Sequence, residues 1–342
     1  MPAAKTKNGA ETGSCGLVLH VSLRVVEMKF KKMLTINIAE SKLDLEYWRK
    51  VDEFTEARVN LPKDSSEIEA HLADADCLLA GFGVKVDKEI LDKSKKLKYI
   101  GVLATAYGTI DVEYAKKKGI VVSNIPGYST ESVAEFVIAV ILEHIKELEK
   151  GKKRGREGDY SSAEYSVIEI KNKIFGILGL GKIGSRVAEI ALGFGADVRY
   201  WSRNRKPEME AKGIKYEDAD SLIPKCDFLS LNFAQAKETE NFLDEERIKK
   251  IKKGAVVIST APMELVDMSS LARRLEKNDM TFILDHSDEM SADDLEKLSK
   301  YKNCIIYPPI AYVSNEARIA KQEIFLDNIE SFLKGSPKNI AT

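Results

Sequence analysis

The stretch GILGLGKIGSRVA, residues 176–188, decides the fold. Its glycines form a GxGxxG pattern, with the apolar run KIFGIL before them and the helical pattern SRVAEIALGFG after them. Between a strand and a helix, such glycines permit a tight turn, close approach of a pyrophosphate to the backbone and close helix–strand packing. The helix N-terminus adds N–H groups and partial positive charge. We therefore predict a dinucleotide-binding turn; the alternative is a glycine turn in an unrelated α/β protein. The predicted contact residues are Gly179, Gly181, Lys182, Ile183 and Gly184.

The strand that follows, ADVRYWS, ends where an NAD-specific site would carry an acid for the ribose hydroxyls. This chain has Ser202, Arg203, Asn204 and Arg205 there instead. A carboxylate would repel a 2′-phosphate, whereas a hydroxyl and guanidinium groups bind one well. The segment therefore favours NADP, with NAD as the second choice; the alternative is that both arginines are solvated loop residues.

Short apolar runs and helical patterns alternate from Met33 onward, and the alternation restarts at KIFGIL. Such alternation predicts an α/β protein with parallel sheets covered by helices. Between the two blocks we predict one long helix, 132–150, and a polar loop, GKKRGREGDYSSAEYS.

The composition describes a globular protein of ordinary charge. The 342 residues are 44% hydrophobic and 31% charged, with a formal net charge of -1, so nothing points to nucleic acid or a membrane as a partner. No cysteine lies in a CxxC pair, which predicts reduced thiols in a cytoplasmic protein and no metal site. The four cysteines are Cys15, Cys77, Cys226 and Cys304.

Residues 1–32 form an N-terminal extension whose opening, MPAAKTKNGAETGS, is polar and predicted to be disordered. His20 and Arg24 interrupt its apolar stretch, and no small-residue cleavage site follows, so no signal peptide is predicted. The extension is either genuine or an artefact of start-site choice.

Five further segments resemble the D-isomer-specific 2-hydroxyacid dehydrogenase family, in particular its glycerate, glyoxylate and hydroxypyruvate reductase branch. They are YGTIDVEYAKKKGIVVSNIPGYSTESVAE, DFLSLNFAQAKET, KKGAVVISTAPMELVD, FILDHSDEM and NCIIYPPIAYVSNEA. The resemblance runs from about Met33 to the C-terminus. It implies two Rossmann-like domains: a substrate domain of residues 33–125 completed by 313–342, and an inserted dinucleotide-binding domain of residues 126–312. It also implies a small-molecule substrate in the cleft and a homodimer formed through helix 132–150.

The family's catalytic set is replaced in this chain. The segments match without gaps, and the family's arginine, glutamate and histidine fall on Pro262, Met290 and Pro309. Proline has no side-chain donor or titrating proton, and methionine is only a weak acceptor. Losing general acid–base catalysis costs roughly 10²- to 10⁴-fold, and a buried carboxylate without its cation costs about 3–5 kcal/mol. We therefore expect little activity on ordinary 2-hydroxy or 2-oxo acids; the alternative is a misplaced alignment.

The resemblance also implies cofactor contacts from Asn232, where the family has a further histidine, and from Thr260 and Asp285. His286 follows Asp285 at the end of a predicted strand, an edge that faces the ligand crevice in open α/β sheets. A carboxylate there would orient the imidazole and raise its pKa, so His286 is the candidate catalytic residue. The alternative is an exposed loop histidine.

A second group of candidates lies outside the cofactor half. LLAGFGVKV resembles the family's loop that binds the substrate carboxylate, so the backbone N–H groups of Phe82 and Gly83 are predicted to bind substrate. Lys85 is either a cation beside them or a solvated lysine. Tyr107 and Tyr312 flank the predicted cleft, as ligand contacts or as packing residues.

Two functional hypotheses follow. The first is an NADP-favouring oxidoreductase with an altered substrate and a non-standard proton donor, which we favour because the cofactor pattern is intact. The alternative is a catalytically silent NADP(H)-binding regulatory or scaffold protein. A transcriptional co-regulator of the same fold has little support, since no basic DNA-reading element is visible.

Overall fold

A computed structural model describes residues 28–162, 164–233 and 238–341, apart from the side chain of Glu289. The predictions for residues 1–27 and for Cys15 lie outside these ranges. The described chain joins the fold before Met33: Phe30 is buried, and its ring stacks on Phe332 with 5.7 Å between centroids. The part of the predicted extension next to Met33 is therefore packed in the core, because its phenylalanine fills a space beside the last long helix.

The first half of the described chain folds into a five-stranded parallel sheet, with strands in the order β2-β1-β3-β4-β5. Its strands β1 to β5 are Met33–Ile36, Arg58–Leu61, Cys77–Ala80, Tyr99–Val102 and Val121–Ser123. Its helices α1 to α4 are Leu45–Glu53, Ile68–Leu72, Lys88–Lys93 and Val112–Lys117. The central strands CLLA and YIGV are buried throughout, as expected for strands covered on both faces.

The second half forms a seven-stranded parallel sheet in the order β12-β11-β10-β9-β6-β7-β8. Its strands β6 to β12 are Ile174–Leu178, Asp197–Trp201, Lys215–Tyr216, Phe228–Leu231, Val256–Ser259, Thr281–Leu284 and Cys304–Ile306. Helices α5 to α13 are Thr130–Ile145, Leu148–Arg156, Lys182–Gly193, Pro207–Glu210, Ala219–Leu222, Glu245–Lys250, Met268–Leu275, Ala292–Ser299 and Asn315–Leu333. The predicted α/β class with two parallel sheets is confirmed.

The C-terminal helix packs on the first sheet. Phe325 and Ile329 of α13 belong to the same buried cluster as Met33, Trp48 and Tyr99. This pairing of the chain's two ends agrees with a domain made of residues 33–125 and 313–342. The predicted boundaries at 125/126 and 312/313 stay a prediction.

The single helix predicted over 132–150 is wrong. Helix α5 ends at Ile145, and Glu147 adopts a left-handed backbone conformation, φ 48°, before α6 begins at Leu148. The predicted loop after residue 150 is correspondingly helical as far as Arg156. The glycines of this segment indicated a loop. The basic residues in the last turn of α6 stabilise the helix, because they lie at the negative end of its dipole.

The described residues contain neither a membrane-spanning helix nor a metal-binding cluster. Across residues 28–162, 164–233 and 238–341, no helix is both long and apolar enough to span a bilayer. The same residues contain no group of three or more His, Cys, Asp or Glu side chains arranged to hold a metal ion.

Candidate cofactor and substrate site

The carboxyl ends of the central strands of the second sheet lie side by side. Leu178 of β6 pairs with Trp201 of β7 and with Leu231 of β9, and the next strands continue the same level through Ser259 and Leu284. The residues that follow these strand ends therefore share one edge, where open α/β sheets bind ligands. They are Gly179, Ser202, Asn232, Thr260 and Asp285.

The glycine turn between β6 and α7 has the geometry that its pattern predicts. Gly179 has φ +92° and donates its N–H to the carbonyl of Trp201 at 2.8 Å. A Cβ on Gly184 would collide with the carbonyl oxygen of Gly179, so this glycine permits close packing of helix on turn. A Cβ on Gly181 would meet nothing within 4 Å. The backbone at the start of α7 is therefore open to an approaching ligand.

Lys182 and Ile183 begin helix α7, directly after Gly181. The Lys182 side chain extends to Gly127, three residues before α5, where an added Cβ would lie 3.1 Å from Nζ of Lys182. The ammonium group thus lies near Gly127, which precedes α5.

The two arginines of the loop after β7 differ in how accessible they are to a ligand. Arg205 donates from Nε to Glu210 at 3.0 Å, and its guanidinium lies over the ring of Tyr216. Arg203 is 71% exposed and lies 3.7 Å from Glu238, which is equally exposed. The Ser202 hydroxyl donates to the carbonyl of Asn204 at 2.5 Å. Arg203 is therefore the more accessible of the two cations.

Asn232 is bound within its own strand end. Its Nδ2 donates to the Ser230 hydroxyl at 3.0 Å and to the Ser230 carbonyl at 3.2 Å. This arrangement holds the amide at the edge of the sheet beside Gly179, because the Asn232 N–H donates to the Leu178 carbonyl at 2.8 Å.

The structure brings Thr260, Asp285 and His286 together. Nε2 of His286 lies 3.2 Å from the Thr260 carbonyl and 3.8 Å from Oδ1 of Asp285. Since a carbonyl oxygen can only accept, Nε2 carries the proton in the first contact. Asp285 is only 2% exposed, and burial raises the pKa of its carboxyl group, an effect that the nearby His286 offsets in part.

Two buried oxygens at this point have no hydrogen-bond partner: Oδ1 of Asp285 and Oγ1 of Thr260. Oδ2 of Asp285, in contrast, accepts from the N–H of Ala311 at 3.1 Å. Unpaired buried polar atoms are uncommon and cost about 1–3 kcal/mol each. Their position at the carboxyl edge indicates a place for a ligand that supplies hydrogen bonds.

The three positions at which the resemblance places the family's catalytic residues follow three neighbouring strands at the same edge. Pro262 comes after β10 and begins a short 3-10 helix, Met263–Leu265. Met290 comes after β11 and packs against the buried cluster of this sheet, and Pro309 comes after β12. All three side chains are half-buried. None of them presents a charge or a titrating proton to the edge.

The predicted substrate loop lies after β3 of the first sheet. Gly83 has φ +77°, a conformation that glycine adopts readily, and the Phe82 carbonyl accepts from Nδ2 of Asn37 at 2.9 Å. Lys85 pairs with Asp87 at 2.7 Å, and this partner raises the pKa of the ammonium group. The charge of Lys85 is therefore balanced within its own loop.

The segment after β12 contacts the site through backbone hydrogen bonds of Ala311, which no sequence motif predicted. The Ala311 carbonyl accepts from the Ser132 hydroxyl of α5 at 2.7 Å, while its N–H bonds to Asp285. Tyr312, the next residue, is 41% exposed, and Tyr107 of the first half is 36% exposed. Ser132 and Ala311 are thus positioning residues that the sequence analysis missed.

Comparisons with known proteins agree with these features. Residues 138–311 match the family model described as D-isomer specific 2-hydroxyacid dehydrogenase, NAD binding domain. A hydroxypyruvate reductase of Blautia hydrogenotrophica is 32% identical over 287 residues, covering 81% of this chain and 88% of the relative. A glyoxylate reductase of Thermococcus litoralis is 34% identical over 277 residues, covering 78% and 83%.

Two solved structures are similar over nearly the whole chain. The D-lactate dehydrogenase of Aquifex aeolicus, complexed with NAD and lactic acid, has a TM-score of 0.77 and 28% identity, covering 89% of this chain and 96% of its own. The acyclic imino acid reductase Bsp5, in complex with NADPH and D-Arg, has a TM-score of 0.80 and 28% identity, covering 91% and 100%. The chain belongs to the D-isomer-specific 2-hydroxyacid dehydrogenase family.

Proposed function

We propose that the protein is an NADP(H)-favouring oxidoreductase that lacks useful activity on glyoxylate, hydroxypyruvate and pyruvate. The observation that carries the proposal is the glycine turn at the start of α7. Gly181 leaves open space above a helix N-terminus, at the sheet edge where this fold binds dinucleotides. In the family this cofactor is a nicotinamide dinucleotide, whose chemistry is hydride transfer.

The orphaned oxygens of Asp285 and Thr260 fit such a cofactor. A nicotinamide ring carries a carboxamide group with two N–H donors and one acceptor, which complements a carboxylate oxygen and a hydroxyl. We infer that these two side chains bind the carboxamide and so orient the ring at the carboxyl edge. The contacts predicted for Lys182, Ile183 and Asn232 belong to the same proposal.

The preference for NADP rests on the loop after β7. Residues 202–206 contain no carboxylate to repel a 2′-phosphate, and the exposed Arg203 has a guanidinium suited to bind one. Ser202 and Asn204 lie beside it, whereas Arg205 would have to share its charge with Glu210. The similar reductase Bsp5 binds NADPH, which agrees with this choice.

The absence of activity on 2-oxo acids rests on Pro262, Met290 and Pro309. Reducing a ketone requires a proton for the developing alkoxide, and holding a carboxylate in a buried site requires a cation. Neither proline nor methionine supplies these groups. We propose His286, which lies at this edge beside Thr260, as the proton donor for the reaction that remains.

The competing proposal is a catalytically silent NADP(H)-binding protein. The same three replacements favour it, since they remove general acid, carboxylate partner and cation together. Both proposals require cofactor binding, and only the oxidoreductase predicts turnover that the substitution His286→Ala abolishes.

Titration with NADPH and NADH tests the cofactor assignment. We expect NADPH to bind more tightly than NADH, and Arg203→Ala to weaken NADPH binding by roughly tenfold or more, the scale of a charge-assisted hydrogen bond. NADH binding should change little. Arg49→Ala, the same change on the exposed side of α1, is the matched control. Equal binding of the two nucleotides by wild type and by Arg203→Ala would exclude a role for Arg203 in choosing NADP.

We also propose a homodimer formed through α5 and α6, in a cytoplasmic protein. Exposed apolar side chains in this region are Leu148 of α6 and Val167 and Ile168 of the segment after it, and Tyr160 is 89% exposed. Exposed apolar patches on a single chain commonly mark contact surfaces. The described cysteines are unpaired buried thiols, as expected in a reducing compartment.

A further inference from the structure

We infer that the substrate position beside Asp285 takes a cation that lacks a carboxylate, namely a protonated imine, which is reduced to the neutral amine. The inference rests on the proposed function, because it assumes that a hydride donor binds at this edge. It goes beyond that function by naming the class of substrate.

The first reason is the charge left at the edge. A guanidinium is absent at Pro262, while the carboxyl group of Asp285 lies buried at the same edge and Asp288 follows it in the chain. The negative charge of Asp288 adds to burial in raising the pKa of Asp285, so the two carboxyl groups lie within electrostatic reach of each other. A second carboxylate from a 2-oxo acid would be repelled here, whereas a positive group is attracted.

The second reason is the composition of the neighbouring segment. The hydrogen bond from the Ala311 N–H fixes residues 310–313 beside Asp285. Ile310, Tyr312 and Val313 are exposed on this segment, at 42%, 41% and 61%. An aromatic ring attracts a cation over its face, and desolvation strengthens that attraction. An apolar, aromatic surface next to carboxyl groups suits an organic ammonium or iminium ion.

The third reason is the chemistry of the step. Hydride adds to the iminium carbon, the electron pair of the C=N bond moves to nitrogen, and a neutral amine and an oxidised nicotinamide result. No proton has to arrive during the hydride transfer, because the nitrogen already carries it. The step therefore tolerates the loss of the general acid at Pro309 and of the cation at Pro262, both of which a ketone requires.

A binding experiment tests the charge argument without turnover. The full chain with NADP⁺ is titrated with pyrrolidinium chloride, with oxamate and with neutral cyclopentanol by calorimetry. We expect pyrrolidinium to bind at least tenfold more tightly than the other two. Asp288→Asn should weaken pyrrolidinium binding several-fold, whereas Asp293→Asn, the same change on the exposed side of α12, should not. Tighter binding of oxamate, or equal losses in both variants, would overturn the inference.

A reduction assay tests the substrate class. NADPH oxidation is followed with 2-methyl-1-pyrroline, with 1-pyrroline-2-carboxylate and with pyruvate. We expect kcat/KM to fall in that order, with at least a tenfold preference for the imine that has no carboxylate. Pro262→Arg should reverse the preference between the two imines and abolish pyrrolidinium binding. A preference for the carboxylate in wild type would overturn the inference.

The two experiments distinguish a failure of the proposed function from a failure of the inferred substrate class. If NADPH does not bind, the proposed function and the inference both fall. If NADPH binds but neither pyrrolidinium nor 2-methyl-1-pyrroline is recognised, the inference alone is wrong and the cofactor assignment stands.

Discussion

The carboxyl group of Asp285 lowers the stability of the fold but contributes to the proposed binding of the cofactor. Burial raises the pKa of its carboxyl group above the usual value of 3.8, and one of its oxygens has no hydrogen-bond partner. A raised pKa on folding means that the charged form is disfavoured in the folded state. Its destabilising effect therefore grows as the pH rises from 3.8 through the folded pKa, and is fully present above that. Under the proposed function, the carboxyl group is kept for the ligand that it binds, at a cost in stability.

Replacing this carboxyl group should stabilise the protein at neutral pH. For Asp285→Asn we expect a gain of the order of 1–3 kcal/mol in the free energy of unfolding at pH 7, which disappears in acid below about pH 3.8. NADPH binding should weaken by roughly tenfold, since a charged acceptor of the carboxamide is lost. Thermal melts across pH and an NADPH titration measure both effects.

Asp267 provides a control of opposite sign. A hydrogen bond from the Ser270 N–H lowers the pKa of this N-cap carboxyl group, so its stabilisation is present at neutral pH and is lost in acid. Asp267→Asn should therefore lower the melting temperature at pH 7. A destabilised Asp285→Asn protein with unchanged NADPH affinity would contradict the role given to Asp285.

Single residues also mark the limit of sequence analysis. The residue types in the loop after β7 could be read directly, but the pairing of Arg205 with Glu210 could not, because it depends on how α8 folds back. The pairing of Lys85 with Asp87 balances a charge that sequence alone left open. The contact of His286 with the Thr260 carbonyl joins two strands that are 26 residues apart in the chain.

At the scale of the element, the turn and helix α7 were predictable because each glycine has a local reason. Helix α5 was only partly so. Its apolar pattern was visible, but the break at Glu147 comes from a left-handed residue that is not a glycine, and the Glu147 carboxylate accepts from the Ser166 N–H at 3.0 Å. That contact is non-local, so the pattern of the helix did not contain it.

A substitution in the glycine turn can block the proposed cofactor site without destabilising the fold. Gly181 has φ -77°, which any residue adopts, and a Cβ there meets nothing within 4 Å. Gly181→Ala should therefore leave folding intact, yet weaken NADPH binding by at least about tenfold, because the methyl group occupies the space of the pyrophosphate.

Gly193, at the other end of α7, is the matched control, since a Cβ there also meets nothing. Gly193→Ala should stabilise the helix by about 0.5–1 kcal/mol with unchanged NADPH affinity. Unchanged affinity in the Gly181→Ala protein would show that the open space above α7 is not the pyrophosphate site.

At the scale of the whole molecule, the class of fold followed from alternation and the glycine pattern. The sequence pattern did not predict that α13 completes the first domain, because α13 meets β4 and α1 only through long-range packing. The resemblance supplied that expectation. The same holds for the proposed dimer, whose surface no periodic pattern defines.

The oligomeric state is a prediction about the face formed by α5 and α6. We expect sedimentation to give about twice the mass of one chain. Val167→Asp, next to the exposed Ile168, should shift the species toward monomer, while Val313→Asp, the same change at an exposed valine outside α5 and α6, should not. A monomeric wild-type chain would contradict the assignment of this face.

The central claim is that the cofactor cradle persists while the groups that clamp and protonate a 2-oxo acid have been replaced. The most direct measurement follows NADPH fluorescence through binding to the wild-type chain, and then after addition of glyoxylate, hydroxypyruvate or pyruvate to the same sample. The account predicts saturable NADPH binding and no oxidation of NADPH above background with any of the three acids. Rapid oxidation with any of them, or no binding at all, would contradict it.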